Sequence, residues 1–161
     1  HSSVTGPMAE VVFRSTQYLN DADARAMAVY LQALAQRHPK SLTASVPAPT
    51  ALQHGAKVYE QHCAQCHGDQ GQGEPGAFAA LAGNRAVLLA DTANLLRVVL
   101  QGGYLPATAG NPRPHGMPPF RQVLGDEDVA AVLSFVRNAW GNQAPAVDTI
   151  DAYRAREART P

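Results

Sequence analysis

Apolar residues recur at helical spacing in four places along the chain. Behind the cap candidates Asn20 and Asp21, a helix is predicted over 21–36, with Met27, Tyr30, Leu31 and Leu34 on one face and His38-Pro39 as its stop. Met27 in that stripe reads as a core residue. A second helix is predicted over 51–62 and a third over 91–101, the latter ended by Gly102-Gly103. The fourth spans 126–140, with Val129, Val132, Leu133 and Val136 at helical spacing and Gly141 as its stop. No stretch keeps a period of two, so the expected fold class is all-α. Two segments break the pattern. Residues 40–50 are rich in Pro, Ser, Thr and Ala and read as a linker. The stretch GGYLPATAGNPRPHGMPPFRQVLG carries five prolines and reads as a long irregular loop.

The pattern also echoes itself. Gly6-Pro7-Met8 is followed by Leu19-Asn20-Asp21-Ala22-Asp23 and an amphipathic helix. Gly116-Met117-Pro118 is followed by Leu124-Gly125-Asp126-Glu127-Asp128 and another. One reading is that any capped helix after a loop looks like this. The other is that residues 1–38 are the tail of a second copy of the same unit.

Composition narrows the classes. Hydrophobic residues make up 45% of the chain, a globular share, and 13 basic residues balance 13 acidic ones. No net charge argues for nucleic acid or an anionic membrane. The longest apolar runs are too short to span a bilayer. The sequence begins at His1 without a signal-like segment, as a processed protein or a fragment would. Two cysteines cannot build a disulfide framework, so their count leaves the compartment open.

Those two cysteines lie together in CAQCHG, residues 63–68. A zinc site needs four ligands, and Cys63, Cys66 and His67 supply one half with no second cysteine pair in the chain. A redox dithiol belongs between a strand and a helix, and here the motif follows a helix. Covalent haem attachment explains each residue. Two thiols at this spacing meet the two vinyl groups on one macrocycle edge, the next residue is carried under the iron as an axial ligand, and Gly68 lets the chain turn away. Met117 is the candidate for the second ligand, fifty residues beyond His67 in the proline-rich loop. Pro118 extends its backbone, and a thioether is a soft ligand suited to ferrous iron. His115 competes with it. His54 and His62 read as surface residues of the second helix.

Over about residues 50–141 the sequence resembles class I c-type cytochromes. Gly55 and Tyr59 match the family's small-then-aromatic pair on its first helix, and Phe135 its aromatic on the closing helix. More narrowly, LAGNRAVLLAD, VVLQGGYLPAT, MPPF and FVRNAWGNQAPAVD resemble the last domain of cytochrome subunits of periplasmic, membrane-associated alcohol, gluconate and nicotinate-type dehydrogenases. MAEVVFRSTQYLNDADARAMAVYLQAL resembles the end of the domain before it, which makes Met8 look like an axial methionine separated from its haem. The resemblance implies a class I cytochrome c fold preceded by an extra helical segment. It divides the chain into 1–38, a linker 39–50, a monohaem domain 51–141 and a tail 142–161. It implies one covalent haem c held by Cys63, Cys66, His67 and Met117, and electron transfer without bond chemistry. A dehydrogenase subunit would be the donor, a quinone or oxidase-side protein the acceptor, and the periplasm, at or near the membrane surface, the location. The apolar stripe of 21–36 calls for cover from the haem domain or from a second copy. The alternative function is a ligand-binding or sensor haem whose Met117 dissociates. In the family a proline usually precedes the leucine of LAGN and its carbonyl accepts from the proximal histidine; here Ala79-Ala80 stand there.

Overall fold

A computed structural model describes residue 4, residues 6–34 and residues 46–158. Its elements are almost all helical. They are α1 (Pro7–Arg14), a 3-10 turn (Thr16–Tyr18), α2 (Asp21–Ala33), α3 (Pro49–His62), α4 (Ala64–His67), α5 (Arg85–Leu88), α6 (Ala93–Gln101), α7 (Asp126–Val136) and α8 (Thr149–Glu157). The exceptions are two two-residue strands, β1 (Gly103–Tyr104) and β2 (Gly116–Met117). The all-α expectation holds, with this small antiparallel pair added.

The core forms where α3, α6, α7 and α8 meet. α7 buries Val129, Val132, Leu133 and Val136, and α6 buries Leu96, Val99 and Leu100. Leu100, Val129 and Ala152 are fully covered. α3 lies against α7 through Gly55, where a Cβ would come within 2.1 Å of Ala131 O and 2.8 Å of Phe135 Cβ. Only a residue without a side chain allows that backbone approach. Tyr59, one turn on, packs against Phe135 and Trp140 at centroid distances of 5.5 and 4.9 Å.

α7 is shorter than the apolar pattern suggests. Arg137 caps it, and the guanidinium, 0% exposed, turns inward instead of continuing the helix. Its Nε donates to Pro145 O at 2.9 Å, and one terminal nitrogen donates to Val87 O and Leu89 O at 2.5 and 2.8 Å. Burial lowers its pKa from the usual arginine value. These bonds staple α7 to the α5 segment and to the chain beyond Gly141.

The segment 142–161 carries a packed helix, α8, which its polar composition concealed. Arg156 forms an ion pair with Asp126 at 2.5 Å and donates to Leu124 O at 2.8 Å and to Arg121 O. Ala152 completes the core on the same helix.

The N-terminal helices differ from this. Asn20 caps α2, its Oδ1 accepting from Asp23 N at 2.8 Å, and α2 ends at Ala33. Gln36, His38, Pro39 and most of the linker lie outside the described residues. α1, absent from the sequence reading, precedes it. Met27 is not a core residue: it is 49% exposed, and Tyr30, Leu31 and Leu34 are exposed with it. The physical reason is that helical periodicity marks an apolar stripe but not whether other residues cover it, and this stripe stays exposed.

Candidate functional site

α3 runs to His62, Cys63 caps it, and the motif then winds into α4. Cys66 N and His67 N both donate to Cys63 O, at 3.2 and 2.9 Å, which closes one tight turn with both thiols and the imidazole on it. Gly68 follows at φ +76, the left-handed region, and the chain turns away as the glycine suggests. Tyr59 donates its hydroxyl to Gly68 O at 2.6 Å and so fixes the turn to α3.

The imidazole is oriented from outside the turn. His67 Nδ1 is 2.8 Å from Ala79 O, so Nδ1 donates and Nε2 is left free to bind a metal. The acceptor is thus Ala79, two residues before Leu81, and not Ala80 directly before it, whose carbonyl accepts from Asn84. The Ala79 carbonyl sits on a short strap closed by a Glu74–Phe78 bridge, with Leu81 N donating to Gly71 O at 2.7 Å.

Met117 reaches the same region from the proline-rich loop. It stands in β2, paired with Gly103 of β1, with Gly116 opposite Tyr104. The methionine therefore has regular hydrogen bonding around it, contrary to the sequence reading of an irregular loop; two-residue strands leave no periodicity to detect. Gly102, at φ +73, lets the α6 terminus lie against this segment, where a Cβ would stand 2.5 Å from Met117 O. Just beyond, Phe120 N and Arg121 N donate to Val99 O and Leu100 O at 2.9 and 3.1 Å, using carbonyls that the end of α6 leaves unpaired. Arg156 holds the far end of the loop through Arg121 O and Leu124 O.

Cys63, Leu81, Leu95, Val98, Met117 and Phe120 pack against one core cluster yet are only partly buried. A flat apolar group spanning from the motif to Met117 would finish their cover, which is the fit expected of a haem. The Cys63 thiol is pushed up to about 11, by burial first and by Cys66 second. It is protonated at neutral pH, the reverse of the low-pKa thiol a redox dithiol needs. No trio of His, Cys, Asp or Glu able to hold a metal occurs among the described residues, so the zinc reading lacks its ligands. His115 is exposed and meets Phe78 ring to ring at 4.9 Å. His54 and His62 lie on the surface as expected, His54 beside Asp128 at 2.8 Å.

The residues that sequence reasoning missed are the holders: Asn84, Asn142 and Arg156, far from the motif in sequence. The asparagines stand in LAGN and WGN, and only the fold shows what they bind.

Comparison with known proteins agrees with this geometry. The family described as Cytochrome c matches residues 52–140. The cytochrome c subunit of the quinone alcohol dehydrogenase of Gluconobacter oxydans is 40% identical over 99% of this chain, which covers 35% of that protein. The cytochrome c subunit of gluconate 2-dehydrogenase from Pantoea cypripedii is 36% identical over 92% of the chain and 36% of its own length. Cytochrome c-552 of Thermus thermophilus is 38% identical over 65% of the chain and 81% of its own length. The chain therefore spans about a third of the dehydrogenase subunits it matches.

Proposed function

This chain belongs to the cytochrome c family and carries covalently bound haem c, and from that premise we propose that Cys63 and Cys66 hold the haem, that His67 and Met117 are its axial ligands, and that the protein relays single electrons. The bound haem supplies a reversible one-electron couple. The chain's own residues do the rest. Cys63 and Cys66 anchor, the Ala79 carbonyl aims His67, and the β1–β2 pair presents Met117. The observation that supports the reading is that Cys63 and Ala64 of the motif and Met117, about fifty residues beyond, pack against one apolar cluster.

With both axial positions taken by side chains, no position is left for substrate, and the role is transfer without bond chemistry. The backbone pairing of Met117 with Gly103, and the bonds from Phe120 and Arg121 to α6, favour a fixed ligand over the labile methionine of a sensor. The donor we propose is a dehydrogenase partner, as in the proteins whose cytochrome subunits match, and the acceptor a quinone site or oxidase-side protein. With as many acidic as basic residues, docking relies on local surface. Tyr104, 74% exposed, and the exposed Pro118 and Pro119 offer an apolar patch beside the ligand loop. The compartment that fits this reading is the periplasm, as the resemblance to periplasmic dehydrogenase subunits implies. No helix among the described residues is long and apolar enough to cross a membrane.

The domain reading is part of the same proposal. Residues 1–38 are the closing end of a preceding unit of the same kind, the linker proposed over 39–50 gives way to α3 at Pro49, and the haem domain of 51–141 extends through α8, whose Ala152 lies in the core. Leu19–Leu34 aligns without a gap on Leu124–Ala139, and both helices open alike: Asn20 with Asp23, and Gly125 N on Asp128 Oδ2 at 3.1 Å. Met8, in α1 and not in a strand, binds no iron here, and two copies of the chain meet through the bare stripe of α2.

Carbon monoxide tests the ligand assignment. The reduced wild-type protein should not bind it at neutral pH, while reduced Met117→Ala should. Ready binding by the wild type would instead favour the sensor.

A further inference from the structure

The carbonyl that orients His67 belongs to a run of three, and each receives a side-chain N–H. Ala79 O is 2.8 Å from His67 Nδ1, Ala80 O accepts from Asn84 Nδ2 at 2.7 Å, and Leu81 O accepts from Asn142 Nδ2 at 3.2 Å. Both asparagines are buried, at 3% and 4% exposure. Each is also anchored at its other end. Asn84 Oδ1 accepts from Ala86 N at 2.9 Å, capping α5. Asn142 Oδ1 accepts from Gly83 N at 2.9 Å, and its Nδ2 also donates to Val136 O at 2.7 Å, in the last turn of α7. The strap 79–81 is thus tied forward to α5 and across to the end of α7.

We propose that Asn84 and Asn142 are positioning residues for the redox centre: by clamping carbonyls 80 and 81 they set how squarely Ala79 O meets the His67 ring N–H, and through it the haem's reduction potential. The reason is chemical. A well-aligned N–H···O=C bond moves electron density onto the imidazole and strengthens it as a donor, which favours ferric iron. Successive peptide planes are joined through only two soft dihedrals per residue, so fixing the carbonyls at 80 and 81 narrows how far the plane carrying the carbonyl of 79 can turn. Buried amide donors are also expensive to leave unpaired, so the clamp holds in one arrangement. The proposal rests on His67 being an axial ligand and goes beyond that assignment to what tunes it.

Two variants separate positioning from bulk stability. Asn84→Ser keeps an oxygen to cap α5 but loses the donor to Ala80 O. Asn142→Ala removes the tie to α7. Ser134→Ala serves as control, because Ser134 is buried on α7 and bonds Val147 instead of the strap. In the reduced holoprotein, exchange of the His67 ring N–H with deuterium is followed by NMR, and the potential by redox titration. Asn84→Ser and Asn142→Ala should each speed that exchange by roughly fivefold, the loss of about one hydrogen bond's restraint, and raise the potential. Ser134→Ala, even with a comparable fall in Tm, should change neither. If Asn142→Ala does not fold, Asn84→Ser alone carries the test. Wild-type exchange and potential in the asparagine variants overturn the proposal, as does an equal shift in Ser134→Ala. Failure of the ligand assignment looks different: His67→Ala would then keep a six-coordinate low-spin spectrum.

Discussion

Tyr59 is 3% exposed, lies against Phe135 and Trp140, and donates to Gly68 O beside the motif. Burial, and secondarily the Asp69 charge, raises its pKa well above the ordinary value of 10.0. In the unfolded chain the phenol ionises near that ordinary value, so above it the unfolded state has released a proton the folded state still holds. Tyr59 therefore adds stability that is fully present below pH about 10 and is lost as pH rises further. At neutral pH, Tyr59→Phe should cost about 1 kcal/mol, one hydrogen bond. The Tm gap between the two proteins should close above pH about 10; a gap independent of pH would mean that Tyr59 is not shielded as described. At this scale the sequence was most legible. Cys63, Cys66, His67 and Met117 were singled out as candidates by residue type and spacing, because that chemistry demands those atoms. Ala79 was not, because a carbonyl acceptor can be supplied by any residue.

Among the elements, α3 and α7 were readable from the sequence as helices, and Gly55 from the resemblance of its pair with Tyr59 to the family's first helix. Gly55→Ala forces a methyl group against Ala131 O and should destabilise the holoprotein by about 3 kcal/mol, the upper range for overpacking. Thermal unfolding followed by the haem absorption checks this, and an unchanged Tm would mean that the helices do not touch at Gly55. α5, α8 and the strands escaped detection for different reasons. α5 and the strands are too short for any period to emerge. α8 is mostly polar, and its attachment comes from Arg156 and Ala152, not from a stripe. α2 is the converse case, a clear stripe whose residues stay exposed. Removing residues 1–46 should leave the haem spectrum unchanged while altering association, measured by sedimentation at several protein concentrations. A lost methionine-ligation spectrum would mean that the segment helps build the haem site.

For the whole molecule, architecture follows from a division of labour. α3, α6, α7 and α8 make the core, and three segments without long regular structure, at 63–68, 79–84 and 102–121, are tied to it and carry the candidate site. The ties are side-chain donors onto backbone carbonyls, from Tyr59 onto Gly68 O, Asn142 onto Leu81 O and Arg156 onto Arg121 O. Such bonds leave no pattern in a sequence, since one partner is backbone, so the route by which 67 and 117 come together stayed hidden while the residues themselves did not. The central claim is that His67 and Met117 share one iron. It is tested most directly by the absorption spectrum of the oxidised protein, recorded beside that of Met117→Ala. The wild type should show the weak long-wavelength charge-transfer band between methionine sulfur and ferric iron, and the variant should lose it while the haem stays covalently attached. A wild-type spectrum without that band, or a variant that retains it, would contradict the account.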